Sequence, residues 1–445
     1  MNQLLFKKVD NSPLILFRIF FGSLMLIESW GAILTGWVHS TFIKPSYLFS
    51  FIGFEFLQIL QGPYMYVHYI IMGIFGLGIA LGYRYKLSST LFFLFWSTTY
   101  FLQKTEYNNH YYLIVLISFL MIFFPANAQI SLDVKHKRTE SVNYYHYWVQ
   151  LLLMAQVFIV YTYASFAKLY PDWLSGNFIS IIFSNSAYWY EKHLNWEPFV
   201  NLLRNHQFHL FTAYSGILFD LLMFPALLWK RTRLLAFFAA IGFHLFNSIT
   251  LHIGIFPYFA LAFSLFFFER KNIHFKFLRR KHYFETENET SLPPKARLIK
   301  AFVILFITIQ VLLPIRHYFM KGPVLWNETG HRLSWRMMLR SRTGNCNFYI
   351  KHNNQLEIVN FTDYLSKEQI NDFQSKPDMI WQFAQHLKKV YSKQGKKIEV
   401  YADCQISVNR GPWYPFINSQ VNLADVKWNY WGTQSWILDA PKDFK

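Results

Sequence analysis

The sequence predicts an α-helical polytopic membrane bundle of about nine spans, N-terminus in and C-terminus out, followed by a mainly β extramembrane domain with one amphipathic helix. Three observations carry that expectation. Charged residues are 15% of the 445-residue chain, well below the roughly 25% of soluble domains. Aromatics reach 20%, with 48 Phe, 28 Tyr and 15 Trp, which suits rings that face lipid and Trp and Tyr at the interfaces. The positive charges, finally, recur in alternate loops between apolar runs.

The runs fall at roughly 13–36, 64–83, 87–102, 111–126, 146–167, 209–229, 233–251, 254–269 and 298–315. Several are shorter than the ~20 residues that cross a ~30 Å hydrocarbon core. Those at 87–102, 111–126 and 254–269 are either short helices or extend into polar-looking sequence. No small-residue cleavage pattern follows the first run, so it reads as a retained helix rather than a removed signal peptide.

Lys7 and Lys8 precede the first run. Arg84 and Lys86, then Lys135, Lys137 and Arg138, then Lys230, Arg231 and Arg233 occupy every second loop. Arg270, Lys271, Lys276, Arg279, Arg280 and Lys281 fill the next of that series. The opposite loops hold Lys44, Lys104 beside Glu106, and no charge in 252–256. The positive-inside rule then sets the N-terminus in the cytoplasm and the C-terminus outside. A net charge of +18 would suggest nucleic acid in a soluble protein, but these cations are used by topology, and no nucleic-acid partner is expected.

Residues 316–445 differ from the membrane part, 1–315. NFYIKH (347–352), LEIVNF (356–361) and KIEVYADCQISV (397–408) alternate as strands do. Between them 376–395 reads as a helix, with Ile380, Phe383, Ala384, Leu387 and Val390 on one face and Gly395 as its stop. RGPWYP (410–415) is a turn signal. Cys346 and Cys404 both lie in this outer part, where an oxidising compartment would permit a disulfide, although nothing in the sequence fixes their distance.

Ionisable groups at a bilayer are functional candidates because they are costly there. Lys168 ends the fifth run, in ASFAKLYPDWLSG (164–176). It is either a snorkelling lysine paired with Asp172 at i+4, or a base whose amine is freed by burial. His244, Ser248 and His252 share one helical face of the seventh run. They read as packed histidines or as metal ligands, but no carboxylate joins them nearby, and no metal is expected. Asn109 and His110 in NNHYY (108–112) are an interfacial cap or the lining of a polar pocket. Arg316, His317, His331, Trp335, Arg336, Met337, Met338, Arg340 and Arg342 crowd the segment after the ninth run. That segment is an interfacial linker, or a pocket wall whose guanidiniums hold carboxylates bidentately.

Five blocks in order then resemble the vitamin K-dependent gamma-carboxylase family. They are KTEYNNHYYLIVLISFLMIFFPANAQISLD (104–133), YASFAKLYPDWLSG (163–176), GFHLFNSITLHIGIFPY (242–258), LLPIRHYFMKGPVLWNETGHRLSWRMMLRSR (312–342), and KPDMIWQFAQHLKKVY with KKIEVYAD (376–403). The form GHRLSWRMM resembles the bacterial branch, whose membrane part is of the horizontally transferred transmembrane (HTTM) type, and implies an inner-membrane protein with its active site on the outer side. The resemblance implies that reduced vitamin K, as co-substrate with O2 and CO2, is deprotonated by a lysine amine. Its oxygenation to the epoxide passes through a strongly basic alkoxide, which removes a γ-proton from a glutamate, and the carbanion takes up CO2. The implied base is Lys168, with His110 orienting or stabilising substrate. The implied quinone and glutamate site holds Asn109, His244, His252, His317, His331, Trp335, Met337, Met338 and Arg342, with Asp172 and Trp173 supporting the turn of Lys168. Implied partners are the bilayer, the quinol and a Glu-containing peptide or protein. Ser165 stands where the family often has glycine, and His331 where animal enzymes carry tyrosine. Because the chain stops at residue 445, a reduced propeptide-recognition surface is expected. Two other readings stay open: a quinol epoxidase that carboxylates no protein, and a vestigial quinone- or lipid-binding protein.

Overall fold

The computed structural model describes residues 2–251, 254–285, 289–353 and 355–444. Each apolar run of the sequence falls on a helix. The long ones are α1 (Ser12–Leu34), α2 (Tyr64–Leu81), α3 (Tyr85–Leu102), α4 (Asn109–Phe123) and α5 (Trp148–Ala167). After a hairpin of α6 (Asn177–Leu194) and α7 (Glu197–Arg204) come α8 (His206–Leu228), α9 (Arg233–Leu251), α10 (Phe256–Ala262) and α11 (Ala296–Ile315). Among the described residues six of these, α1, α2, α5, α8, α9 and α11, are long and apolar enough to cross a membrane. The others are shorter or carry more hydroxyls: α4 and the α10 segment are short apolar helices, and α3 holds Ser88, Ser89, Ser97, Thr98 and Thr99. The α6–α7 hairpin has no counterpart among the apolar runs, because its sequence is amphipathic rather than uniformly apolar.

Small residues let α1 and α2 meet backbone to backbone. A Cβ on Gly22 would lie 2.3 Å from the Ala80 nitrogen, and one on Gly76 would lie 2.9 Å from the Leu26 nitrogen. This is the close packing that glycine permits between membrane helices. Gly82, at φ 61°, then caps α2 in the left-handed conformation and turns the chain into α3.

Helices α4 and α5 are set by their ends. Asn108 Oδ1 accepts from the Tyr111 amide at 2.7 Å, an N-cap that starts α4 at Asn109 and His110. At the other end of the site, α5 stops with Lys168 as its cap residue. The stop is local, since Tyr170 precedes Pro171 and takes the extended conformation such a residue favours, at φ −141°. Pro171–Leu174 then forms a single turn that begins with that proline.

Beyond α11 a four-stranded antiparallel sheet forms in the order β2-β1-β3-β4. Its strands are β1 (Arg342–His352), β2 (Gln355–Ile358), β3 (Glu399–Val408) and β4 (Tyr414–Pro415). Two helices, α12 (Lys367–Phe373) and α13 (Pro377–Lys393), lie between β2 and β3 in the chain. Met379, Ile380, Phe383, Ala384 and Leu387 of α13 bury against Phe348, Ile350, Val400, Ala402 and Ile406 of the sheet. Val390, at the end of the expected stripe, is half-buried. Cys346 and Cys404 face each other across β1 and β3 and form a disulfide.

This outer layer is fastened to the bundle by buried charge. Asp378, in the first turn of α13, pairs with Lys104 at 2.6 Å and with Arg332 at 2.5 Å. Burial alone would raise the Asp378 pKa, yet Arg332 and Lys104 pull it well below the usual carboxylate range. Burial in turn draws Lys104 down to about 8. Asn409, just after β3, donates to Asp172 at 2.7 Å.

Candidate active site

The turn that ends α5 aims Lys168 inward. Its Nζ is ion-paired with the carboxylate of Asp220 on α8, and both residues are buried. The amine also lies over the Trp173 ring, 5.3 Å from its centroid. Trp173 is itself fixed, because its Nε1 donates to the Ala213 carbonyl at 3.0 Å. Asp172, the i+4 carboxylate, does not face Lys168, since it accepts from Asn409.

Lys168 and Asp220 line an apolar chamber of about 150 Å³, together with His110, Tyr161, Trp173, His244, Phe256, Met337 and Met338. His110 stacks on Phe256 with ring centroids 3.6 Å apart. His244 is buried, and its Nε2 lies 3.3 Å from the Tyr161 hydroxyl. The His244 Nδ1 has no hydrogen-bond partner among the described residues. The chamber therefore offers a charged pair, two imidazoles and a phenol in walls that are otherwise hydrocarbon, which is what an apolar ring with polar oxygens needs.

A second chamber, of about 280 Å³, is polar. Asn109, His331, Arg332, Arg336, Arg340, Arg342, Asp372 and Lys376 line it. His110, Met337 and Met338 line both chambers, so these side chains form the wall between them. Glu328 sits behind the polar chamber, with Arg340 Nε donating to it at 2.5 Å. Burial would raise its pKa, but Arg340, His331 and Arg342 hold it well below the carboxylate range. Burial, reinforced by Arg340, keeps the His331 pKa well under that of a free histidine.

The dividing segment is held in a costly conformation. Leu333, Trp335 and Met338 have φ of 61°, 55° and 49°, left-handed values worth about 1–3 kcal/mol each for side chains with a Cβ. Contacts with the bundle over-determine it. The Leu333 amide donates to the Tyr107 hydroxyl at 2.7 Å, Trp335 packs on Tyr112 at 5.0 Å, and Asn109 donates to the Arg336 carbonyl at 3.4 Å.

Residues 6–271 match the HTTM domain, and residues 295–443 match the vitamin K-dependent gamma-carboxylase lumenal domain. The chain belongs to the vitamin K-dependent gamma-carboxylase family. No solved structure matches it at a significant level. With six long apolar helices among the described residues, this member of a carboxylase family is an integral membrane protein.

The positions implied by the gamma-carboxylase resemblance divide into three groups. Lys168, His110, His244, Trp173, Met337 and Met338 meet at the apolar chamber, and Asn109, His331 and Arg342 line the polar one. His317 and Trp335 line neither. His317 donates its Nδ1–H to the Pro314 carbonyl at 2.7 Å and packs under Gly330, and Trp335 is buried against Tyr112. His252 lies outside the described residues. Asp220 and Tyr161 line the apolar chamber and were not among the candidates read from the sequence, whereas Arg336 stood there as one arginine of the pocket-wall segment. Asp220 carried a usable signal, as a single carboxylate inside the apolar stretch GILFDLLMF.

Proposed function

We propose that the protein oxidises vitamin K hydroquinone to its epoxide with O2 and couples this to gamma-carboxylation of glutamate with CO2. The observation that carries the reading is the shared wall: an apolar chamber with a buried amine abuts a polar, arginine-lined chamber through His110, Met337 and Met338. The quinol would occupy the apolar side and the glutamate the polar side, with only a few side chains between the two reactions.

Lys168 and Asp220 act together as the base in this reading. An amine and a carboxylate in contact are neutral as a pair whether the proton sits on nitrogen or oxygen. Taking one proton from the quinol leaves an ammonium and a carboxylic acid, one net positive charge beside the quinolate. That charge stabilises the anion in a medium of low dielectric, where such effects are large. His110 and the Tyr161–His244 pair would orient the quinol oxygens. The hydrocarbon walls keep water from the basic oxygen anion and from the glutamate carbanion, either of which water would quench.

The outer face is the expected side for this chemistry, with the N-terminus in the cytoplasm and the glutamate arriving from outside. The test is the full chain in detergent with vitamin K hydroquinone, labelled CO2 and a Glu-containing peptide. Epoxide together with label in the peptide supports the coupled reaction. Epoxide without label for any glutamate peptide leaves a quinol epoxidase, and no epoxide at all leaves a quinone-binding protein.

A further inference from the structure

We propose that Arg336 is a carboxylate-binding residue, the one cation of the polar chamber left for a ligand. That the carboxylate belongs to a glutamate side chain rests on the function proposed above; the anion site itself does not. Five cationic side chains line the chamber, Arg332, Arg336, Arg340, Arg342 and Lys376, against one lining carboxylate, Asp372. Four of the five are already matched. Arg332 pairs with Asp378, and Arg340 binds Glu328 through both Nε and Nη2. Arg342 lies 3.8 Å from Glu328 and donates to the carbonyls of Leu325, Trp326 and Ser375. Lys376 pairs with Asp372.

Arg336 stands apart. Its Nε is buried with no partner, and among the described residues its guanidinium makes no ion pair or hydrogen bond. Leaving a guanidinium unmatched in a half-buried site is unfavourable, and the cost is relieved when an anion arrives. A guanidinium suits a planar carboxylate, which it holds through two parallel N–H···O bonds. The chamber, at about 280 Å³, has room for a short acidic side chain.

Position gives the anion its use. Arg336 directly precedes Met337 and Met338, which belong to the wall of the Lys168 chamber. A glutamate whose carboxylate rests on Arg336 presents its γ-carbon toward that wall. Arg336 is therefore assigned to binding and orientation, with no proton transferred by it.

The experiment is isothermal titration of the detergent-purified full chain with butyrate, which carries the glutamate side chain's carboxylate without a peptide. A Glu-containing peptide and its Gln counterpart are titrated in parallel. The expected result is butyrate and Glu-peptide binding that weakens at least tenfold in Arg336→Gln, with Arg336→Lys intermediate. Arg336→Gln should also lose the preference for the Glu over the Gln peptide while keeping or raising thermal stability, which a merely structural arginine would lower. Equal butyrate binding by wild type and Arg336→Gln, or no butyrate binding by wild type, overturns the site. Butyrate bound through Arg336 with no affinity for any Glu-peptide upholds the anion site and removes the glutamate reading instead.

Discussion

Lys168 at the end of α5 is ion-paired with Asp220 in the middle of α8, 52 residues away in sequence, inside a chamber walled mostly by hydrocarbon. Isolated charges are not tolerated in such a place, and paired ones persist mainly where they serve a purpose. If the pair is the proton acceptor, Asp220→Asn should lower epoxide formation about 10²-fold near neutral pH, the usual scale of general base catalysis. Asp220→Glu should retain more activity than Asn. Asn activity within twofold of wild type would leave Lys168 acting alone.

The wall between the chambers should control coupling. His110→Ala removes a ring that faces both sides and stacks on Phe256. Water from the polar side would then reach the apolar one. We expect epoxide to continue at a reduced rate while label incorporation falls further, so epoxide made per carboxylation rises severalfold. An equal fall in both products would mean that His110 does not separate them.

How much of this was legible in the sequence depended on what each feature needed. The apolar runs and the α13 stripe declare themselves locally, through length and through a period of 3.6 residues. Lys168 was a candidate in the sequence through its motif, and the structure places it in the lining of the apolar chamber. Asp220 is a lone carboxylate in an apolar helix, and its pairing with Lys168 spans 52 residues, which no local pattern announces. The α6–α7 hairpin was missed because an interfacial amphipathic sequence resembles loop when only apolar length is counted. The division into two chambers depends on Met337 and Met338 reaching His110 from more than 200 residues away in the chain, and the left-handed turns that bring them there occur at Leu333, Trp335 and Met338. No local pattern announces a left-handed leucine or tryptophan.

The outer layer should be acid-labile. Asp378 and Glu328 are both held well below the usual carboxylate pKa in the folded protein. Depressed values stabilise above the unfolded pKa of about 4 and lose that contribution as pH falls toward the folded values. Thermal stability should therefore hold from pH 7 to about 5 and drop below about 4. Asp378→Asn strands Lys104 and Arg332, so we expect a loss of about 3–5 kcal/mol at pH 7, with a flatter acid limb. Unfolding curves of both proteins across pH check this, and identical acid limbs would contradict it.

The disulfide should matter to the sheet rather than to the chemistry. It joins the buried Cys346 and Cys404 across β1 and β3, closing a loop with a sequence separation of 58. Replacing both by serine should cost about 2–5 kcal/mol, read as a lowered unfolding temperature. Epoxide formation at a temperature where the variant is folded should remain close to wild type. Loss of epoxide in the folded variant would show that the sheet reaches further into the bundle chemistry than these contacts imply.

The most direct test of the central claim is epoxide formation by Lys168→Ala, measured beside wild type in the same detergent with vitamin K hydroquinone and O2. Wild type should make epoxide, and the variant, folded and still able to bind quinone, should make less than about one hundredth as much. A folded Lys168→Ala protein that makes epoxide at the wild-type rate would contradict that claim.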